Sequence, residues 1–405
     1  RGFRWVNPSE MLKPPKSGYI SEMSNMKMKK KICFVVAVPI TANAFLKDHI
    51  KTLSKDYDIY LVANIESEED VKGLDIVGWE SINIQRGISL VNDIRTIWQL
   101  KKYFKKMKFD AVHSVTPKAG FTTALAGKLA GIKHRTHIFT GQVWATRTGV
   151  MRWILKSIDK VIAKCDNHIL VDGKSQRTFL EQEGVLVKGK AKVFCEGSIA
   201  GVNSERFVPD AVARREEREK IGIIEGVLTY IFLGRLNHDK GIGELYEAYN
   251  RLAAEEKDVF LLLVGFDEEG YLQKLPEYKN IQEGKNFHFY GSTSQPEHVL
   301  NAGDVFVLPT YREGFGSSVL EAACIGLPSI CTDAYGVLDA YIEGETGLQC
   351  KVGDVESLYQ CMKRMHDEQE LRINMGRKSR ERALKDFNVK PISEAWFNFY
   401  KSILG

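Results

Sequence analysis

VFVLPTYREGFGSSVLEAACIGLPSICTD, residues 305–333, contains one complete repeat of an alternating fold. Val305 to Leu308 is an apolar run of strand length. Ser317 to Ile325 reads as a helix, and Ser329 to Cys331 as the next strand. A Gly-rich turn joins the first strand to the helix. Strand, crossing helix and strand in this order make a parallel βαβ unit. In open parallel sheets ligands bind beyond the carboxyl ends of the strands, so the turn is the first place to look for chemistry.

Its residues fit that position. Gly314 and Gly316 let the backbone approach a ligand closely. With Phe315 between them, they lead to the N–H groups of Ser317, Ser318 and Val319, which open the helix and favour an anion. Glu321 lies about one turn into the helix. A carboxylate there can accept hydrogen bonds from the vicinal hydroxyls of a ribose. Glu313, eight positions earlier, can meet a second hydroxylated ring. Two acceptors flanking a phosphate nest describe a nucleotide sugar. Support of the helix N-terminus would account for Glu321 alone, but not for Glu313 and the glycines.

The same grammar extends outward in both directions. Strands are expected at 32–38, 59–63, 111–113, 136–139, 168–171 and 191–195, with helices at 45–53, 91–107, 119–129, 150–165 and 176–183. Near 200–226 the alternation breaks at the charged run DAVARREEREKIGIIEG. It restarts with strands at 227–233, 259–264 and 287–290, and with a helix at 242–253 that carries Ile242, Leu245, Tyr249 and Leu252 on one face. The expected architecture is α/β: two doubly wound domains, residues 29–205 and 206–389, facing a cleft. Residues 1–28 are polar, contain Pro14-Pro15 and lack the apolar core of a signal peptide. They are read as a disordered leader or as sequence upstream of a start at Met26 or Met28.

The second half opens with a similar turn, FLGRLNHDKGIGEL. Gly234 permits a tight exit from the strand. Arg235 and Lys240 flank a loop that runs into a helix near Ile242. Two cations at a helix N-terminus suit a diphosphate, Arg235 as a fork and Lys240 as a point charge. Taken alone, the loop also fits two solvated surface cations.

Together these segments resemble the retaining glycosyltransferases of family 4, which have the GT-B fold. EGFGSSVLE is similar to their E-x7-E motif, and GRLNHDKG to their diphosphate loop. EGETGLQCKVGD resembles the remainder of that domain. HSVTPKAGFTTALAGKLAGIKHRTHIFTG resembles the N-terminal domain of members that build bacterial surface polysaccharides. The resemblance spans roughly residues 30–400. It implies that Arg235 and Lys240 hold the donor diphosphate, that Glu321 binds ribose, and that Glu313 contacts the transferred sugar without a metal. It also implies that residues 390–405 cross back to the N-terminal domain. His113, Lys118 and Thr140 are the candidates on the acceptor side. Two departures stand out. Thr41, Ala42 and Asn43 replace an expected glycine pair, and Thr140 stands where many members place a histidine.

The implied activity is transfer from a UDP-hexose or UDP-N-acetylhexosamine to a lipid-linked or saccharide acceptor. A nucleotide-sugar epimerase and a non-catalytic nucleotide-sugar-binding protein are the alternatives. The implied location is cytoplasmic, at the inner face of the membrane. Seven scattered cysteines without a CxxC read as buried reduced thiols of a cytosolic protein, and Cys/His spacing offers no zinc site. The net charge is only +5, yet residues 99–164 hold 14 Lys+Arg against 2 Asp+Glu, a local +12. An anionic membrane surface explains such a block better than nucleic acid, for which no motif is present. Within it, Arg152, Lys156, Lys160 and Lys164 mark one face of the 150–165 helix. That face is either solvated or membrane-directed.

Overall fold

The computed structural model describes residues 29–85, 87, 89–275 and 286–405. The leader read at 1–28 lies outside them. Two parallel sheets organise the rest. The first contains β1 (Lys30–Val35), β2 (Tyr57–Ala63), β3 (Gly78–Ser81), β4 (Ala111–Val115), β5 (His134–Phe139), β6 (His168–Val171) and β7 (Ala191–Lys192), in the order β3-β2-β1-β4-β5-β6-β7. The second contains β8 (Leu228–Leu233), β9 (Val259–Val264), β10 (Phe287–Gly291), β11 (Val305–Leu308), β12 (Ser329–Thr332) and β13 (Gly347–Cys350), in the order β10-β9-β8-β11-β12-β13. In each sheet the connection reverses direction beside the first strand, so β1/β4 and β8/β11 are the switch points where clefts form. Central strands such as β9 and β11 read as unbroken apolar runs because helices cover both faces of a parallel sheet.

Several expected elements differ in detail. The helix expected from residue 45 is two helices, Pro39–Phe45 and Lys47–Leu53, broken at Leu46. The strand expected at 191–195 pairs over only two residues. The charged run after residue 209 is a helix, Ala211–Ile221. Asp210 caps it by accepting from the Val212 and Ala213 N–H groups. Its charges partly turn inward: Arg214 lies 2.6 Å from Asp304, and the buried Arg218 donates to the Ala302 and Val227 carbonyls. All seven cysteines are free and five are buried, but Cys195 is exposed, contrary to expectation.

The chain's last helices tie the two halves together. Gln369–Asp386 packs on the second domain against the helix Ser317–Ile325. At the junction Val202 exchanges hydrogen bonds with Phe387 and Val389, at 2.8 and 3.0 Å. Asn388 then caps the final helix, Val389–Leu404, at the Lys390 N–H. That helix places Ile392, Trp396, Phe399 and Tyr400 in the core of the first domain, as the resemblance implied. Trp396 lies between two imidazoles, with His49 at 4.8 Å and His113 at 4.9 Å, both nearly parallel to it.

Candidate active site

The two loops that carry the expected donor residues are stitched into one surface. The Tyr311 N–H donates to the Asp239 carbonyl at 2.9 Å, Arg312 pairs with Asp239 at 2.6 Å, and the Tyr311 ring stacks on His238 at 4.9 Å. Gly241, which starts the helix Ile242–Glu255, has φ +67°, and a Cβ there would collide with the Pro309 carbonyl. Only glycine allows this approach. Glu313 therefore stands on a fixed base, and Lys240 pairs with it directly. Both side chains are mostly buried, so this pair is shielded from solvent screening.

Arg235 is also engaged. Its guanidinium lies 3.0 Å from both carboxylate oxygens of Glu268, and Asn237 donates to the same carboxylate at 2.5 Å. Both cations thus have carboxylate partners already in place. A diphosphate placed as the resemblance implies would have to compete with Glu268 for the guanidinium. Glu268 had no signal in the sequence reading, because only the fold brings the end of β9 beside the end of β8.

The helix Ser317–Ile325 begins at Gly316, with φ +88°. The N–H groups of Ser317 and Ser318 lie ahead of its hydrogen-bonded ladder and point from its N-terminus. Val319 departs from expectation: its N–H donates to the Gly316 carbonyl at 2.9 Å, and its side chain is buried. Phe315 departs further. Its ring is buried against Phe387, at 5.4 Å, and reaches Gly173 and Gly197 of the first domain. It is an apolar contact between the domains, not a donor contact. An aromatic ring flanked by glycines finds a hole where another backbone also lacks Cβ atoms, which sequence proximity cannot show.

Glu321 is partly exposed but enclosed by protein on its other sides. This burial, partly offset by Arg206, pushes its carboxyl up to about 7. In the role the resemblance implies, the ionised form accepts the ribose hydroxyls, which sets the sign. As pH falls from 8 to 6, the donor KM should rise by roughly tenfold, and Glu321→Gln should flatten this dependence at a higher KM. A pH-independent KM in the unchanged enzyme, measured by initial rates, would count against the assignment.

On the acceptor side the three candidates separate. Thr140 follows β5 at the cleft, its carbonyl held by the side chains of Gln142 (2.5 Å) and Gln176 (2.7 Å). The adjacent Gly141 packs against the backbone of Glu313 and Gly314. Lys118 begins the helix Pro117–Ala130, but its charge is matched by Asp93 at 2.6 Å. His113 is corrected outright. It lies in the middle of β4, fully buried, with Nδ1 2.6 Å from the Tyr400 hydroxyl. Burial holds its imidazole well below the usual range. It anchors the C-terminal helix and does not reach the cleft. At the other departure, Thr41 and Ala42 are buried in a helix, and Asn43 donates to the Asp70 carbonyl at 3.0 Å.

A carboxylate outside the expected set completes the junction. Asp172 follows β6, almost fully buried, and one oxygen accepts the Ile199 N–H at 2.6 Å. The other faces Gly314, where a Cβ would lie 2.8 Å from it. Burial, opposed by the Ile199 bond and reinforced by the charge of Glu313, pushes Asp172 up to about 7. Nearby, Asp339 of the second domain accepts the Ser175 N–H and hydroxyl at 2.8 Å, and Tyr335 stacks on Phe179 at 4.0 Å. The carboxyl ends of the two sheets meet around Glu313.

The two domains thus meet along a charged seam, and comparison with known proteins identifies the class of the chain. Residues 31–164 match the family model described as glycosyl transferase 4-like, and residues 213–382 match glycosyl transferases group 1. The chain belongs to these family 4 glycosyltransferases. It is 26% identical to the capsular polysaccharide biosynthesis glycosyltransferase CapM of Staphylococcus aureus, over 94% of this chain and 98% of that one. It is also 26% identical to the UDP-Gal:alpha-D-GlcNAc-diphosphoundecaprenol alpha-1,3-galactosyltransferase of Escherichia coli, over 75% and 78%. The structure of Anabaena HepE in complex with UDP and glucose has the same GT-B fold, with a TM-score of 0.77 at 16% identity, over 92% of this chain and 100% of that one.

Proposed function

We propose that the protein moves a hexose or N-acetylhexosamine from a UDP-sugar to a lipid-linked or saccharide acceptor, with retention, in building a bacterial surface polysaccharide. The observation that carries this reading is the Lys240–Glu313 pair beside the open helix start at Ser317 and Ser318. Cation, anion and free N–H groups lie on one wall, opposite Thr140 and Gly141. The diphosphate takes Lys240, Arg235 and the N–H groups. Glu313 is then free to hold hydroxyls of the transferred sugar. These fixed donors stabilise the charge that develops on the leaving diphosphate, an effect strongest in a water-poor cleft. The acceptor enters from the first domain, near Thr140. Relatives named for diphosphoundecaprenol substrates and polysaccharide synthesis support the lipid-linked acceptor and the membrane-side location.

Incubation with labelled UDP-sugars and a bacterial lipid extract tests the reading. Transfer of label to lipid is expected. Conversion of the donor without acceptor would identify an epimerase instead, and binding without turnover a carrier. Because Arg235 and Lys240 supply the positive charge, transfer should survive EDTA. Complete loss that Mg²⁺ or Mn²⁺ restores would contradict the metal-free scheme.

A further inference from the structure

The helix Leu90–Met107 turns Asp93, Thr96, Leu100, Tyr103 and Phe104 into the first domain. Its opposite stripe, at three- and four-residue spacing, carries Val91, Ile94, Arg95, Trp98, Lys102 and Lys105. Val91 is 78% exposed, Ile94 57% and Trp98 58%. The stripe is apolar in its first half and cationic in its second. Lys101 joins the halves, its Nζ 4.1 Å over the Trp98 ring. No acidic residue occurs between Asp93 and Asp110. Among the described residues, Arg95, Lys102, Lys105 and Lys106 have no carboxylate partner, although Asp93 and Asp110 are paired to lysines elsewhere.

The neighbouring helices define where this stripe lies. Pro117–Ala130 packs against Leu90–Met107 on one side and Gly149–Cys165 on the other, forming one outer layer. Each helix starts at the carboxyl end of the sheet, which is the cleft end. There Gly149–Cys165 exposes Val150, Met151 and Trp153. The basic face expected of that helix is half consumed: Arg152 and Lys156 both pair with Glu183, at 2.8 and 2.6 Å, while Lys160 and Lys164 stay exposed. The outward cations belong chiefly to the other helix.

We propose that the stripe on Leu90–Met107 seats the protein on an anionic lipid bilayer. Val91, Ile94 and Trp98 enter the headgroup layer, while Lys102 and Lys105 rest on lipid phosphates. An exposed apolar strip bordered by unpaired lysines matches the apolar depth and negative charge of that surface. An indole with a cation over its ring suits the boundary between the two. Its purpose, delivering the cleft to a membrane-held acceptor, rests on the acceptor reading above; the surface itself does not.

The test uses the full chain with vesicles of phosphatidylcholine, with or without roughly one third phosphatidylglycerol. Binding is expected only to the anionic vesicles and should weaken as salt rises. The double variant Ile94→Ser/Trp98→Ser should lose at least about tenfold in binding, as should Lys102→Glu/Lys105→Glu, which should also lose the salt dependence. Trp98→Phe should bind, but lose the share of brominated-lipid quenching that Trp98 supplies, leaving that of other exposed tryptophans such as Trp153. Unchanged binding in both double variants overturns the proposal. So does a dimer in solution that the serine variant dissolves, since a second copy would then cover the face. Transfer to a water-soluble saccharide, measured in parallel, separates the two readings. Lost vesicle binding with normal transfer confirms the surface, and absent transfer with normal vesicle binding overturns only the functional reading.

Discussion

Glu313→Gln should lower kcat by about 10²-fold or more, while Glu321→Gln mainly raises the donor KM. In the proposed scheme the two glutamates meet different parts of the donor. Glu321 stands in the helix after the nest, and in that scheme it holds the ribose, which does not change during transfer. Its bonds are equal in ground and transition states, so its loss costs binding alone. Glu313 stands before the nest, held by Lys240 and facing the first domain. The transferred ring gains positive character as its bond to phosphate breaks. A fixed carboxylate beside it acts mostly on that transition state. The amide keeps the size of the side chain but removes the charge, and Lys240 loses its partner. Steady-state kinetics with one donor and one acceptor decide the matter. A pure KM effect at Glu313 together with a collapsed kcat at Glu321 would reverse the roles.

Trp396→Ala should destabilise the first domain by about 3–5 kcal/mol, the range for removing a large aromatic from a core. Trp396 is fully buried between His49 and His113, with Phe34 at 6.1 Å and Phe194 at 5.8 Å. Its indole N–H is buried without an acceptor, so packing rather than hydrogen bonding holds it. Trp396→Phe removes that unpaired donor and keeps a ring, and should cost far less than alanine. Denaturant melts give the two values. Hydrogen exchange over 389–404 should show the alanine variant losing protection first. Equal loss in both variants would mean that the stacked imidazoles do not recognise the ring.

The α/β class and the two sheets were legible in the chain because each depends on local chemistry. Apolar runs such as Val259 to Val264 can only be strands buried on both faces. The glycines at 314 and 316 mark a tight turn after an apolar run, and the turns that carry Glu313, Lys240 and Arg235 stand out by their place between strand and helix. The edge strands Gly78–Ser81 and Gly347–Cys350 escaped because each is four residues long and not wholly apolar. What could not be read is what meets across long sequence separations. Phe315 belongs to the domain contact because Gly173 and Gly197 open a hole for it. His113 belongs to the core because Tyr400 and Trp396 arrive from a helix nearly 290 residues later. Glu268 and Asp172 enter the site from strands whose ends only the folded sheets bring together. Helix and strand signals repeat every few residues and survive in a single sequence. The partner of a buried charge or ring is set by the packing of distant segments, and a side chain's type does not name the segment it will meet.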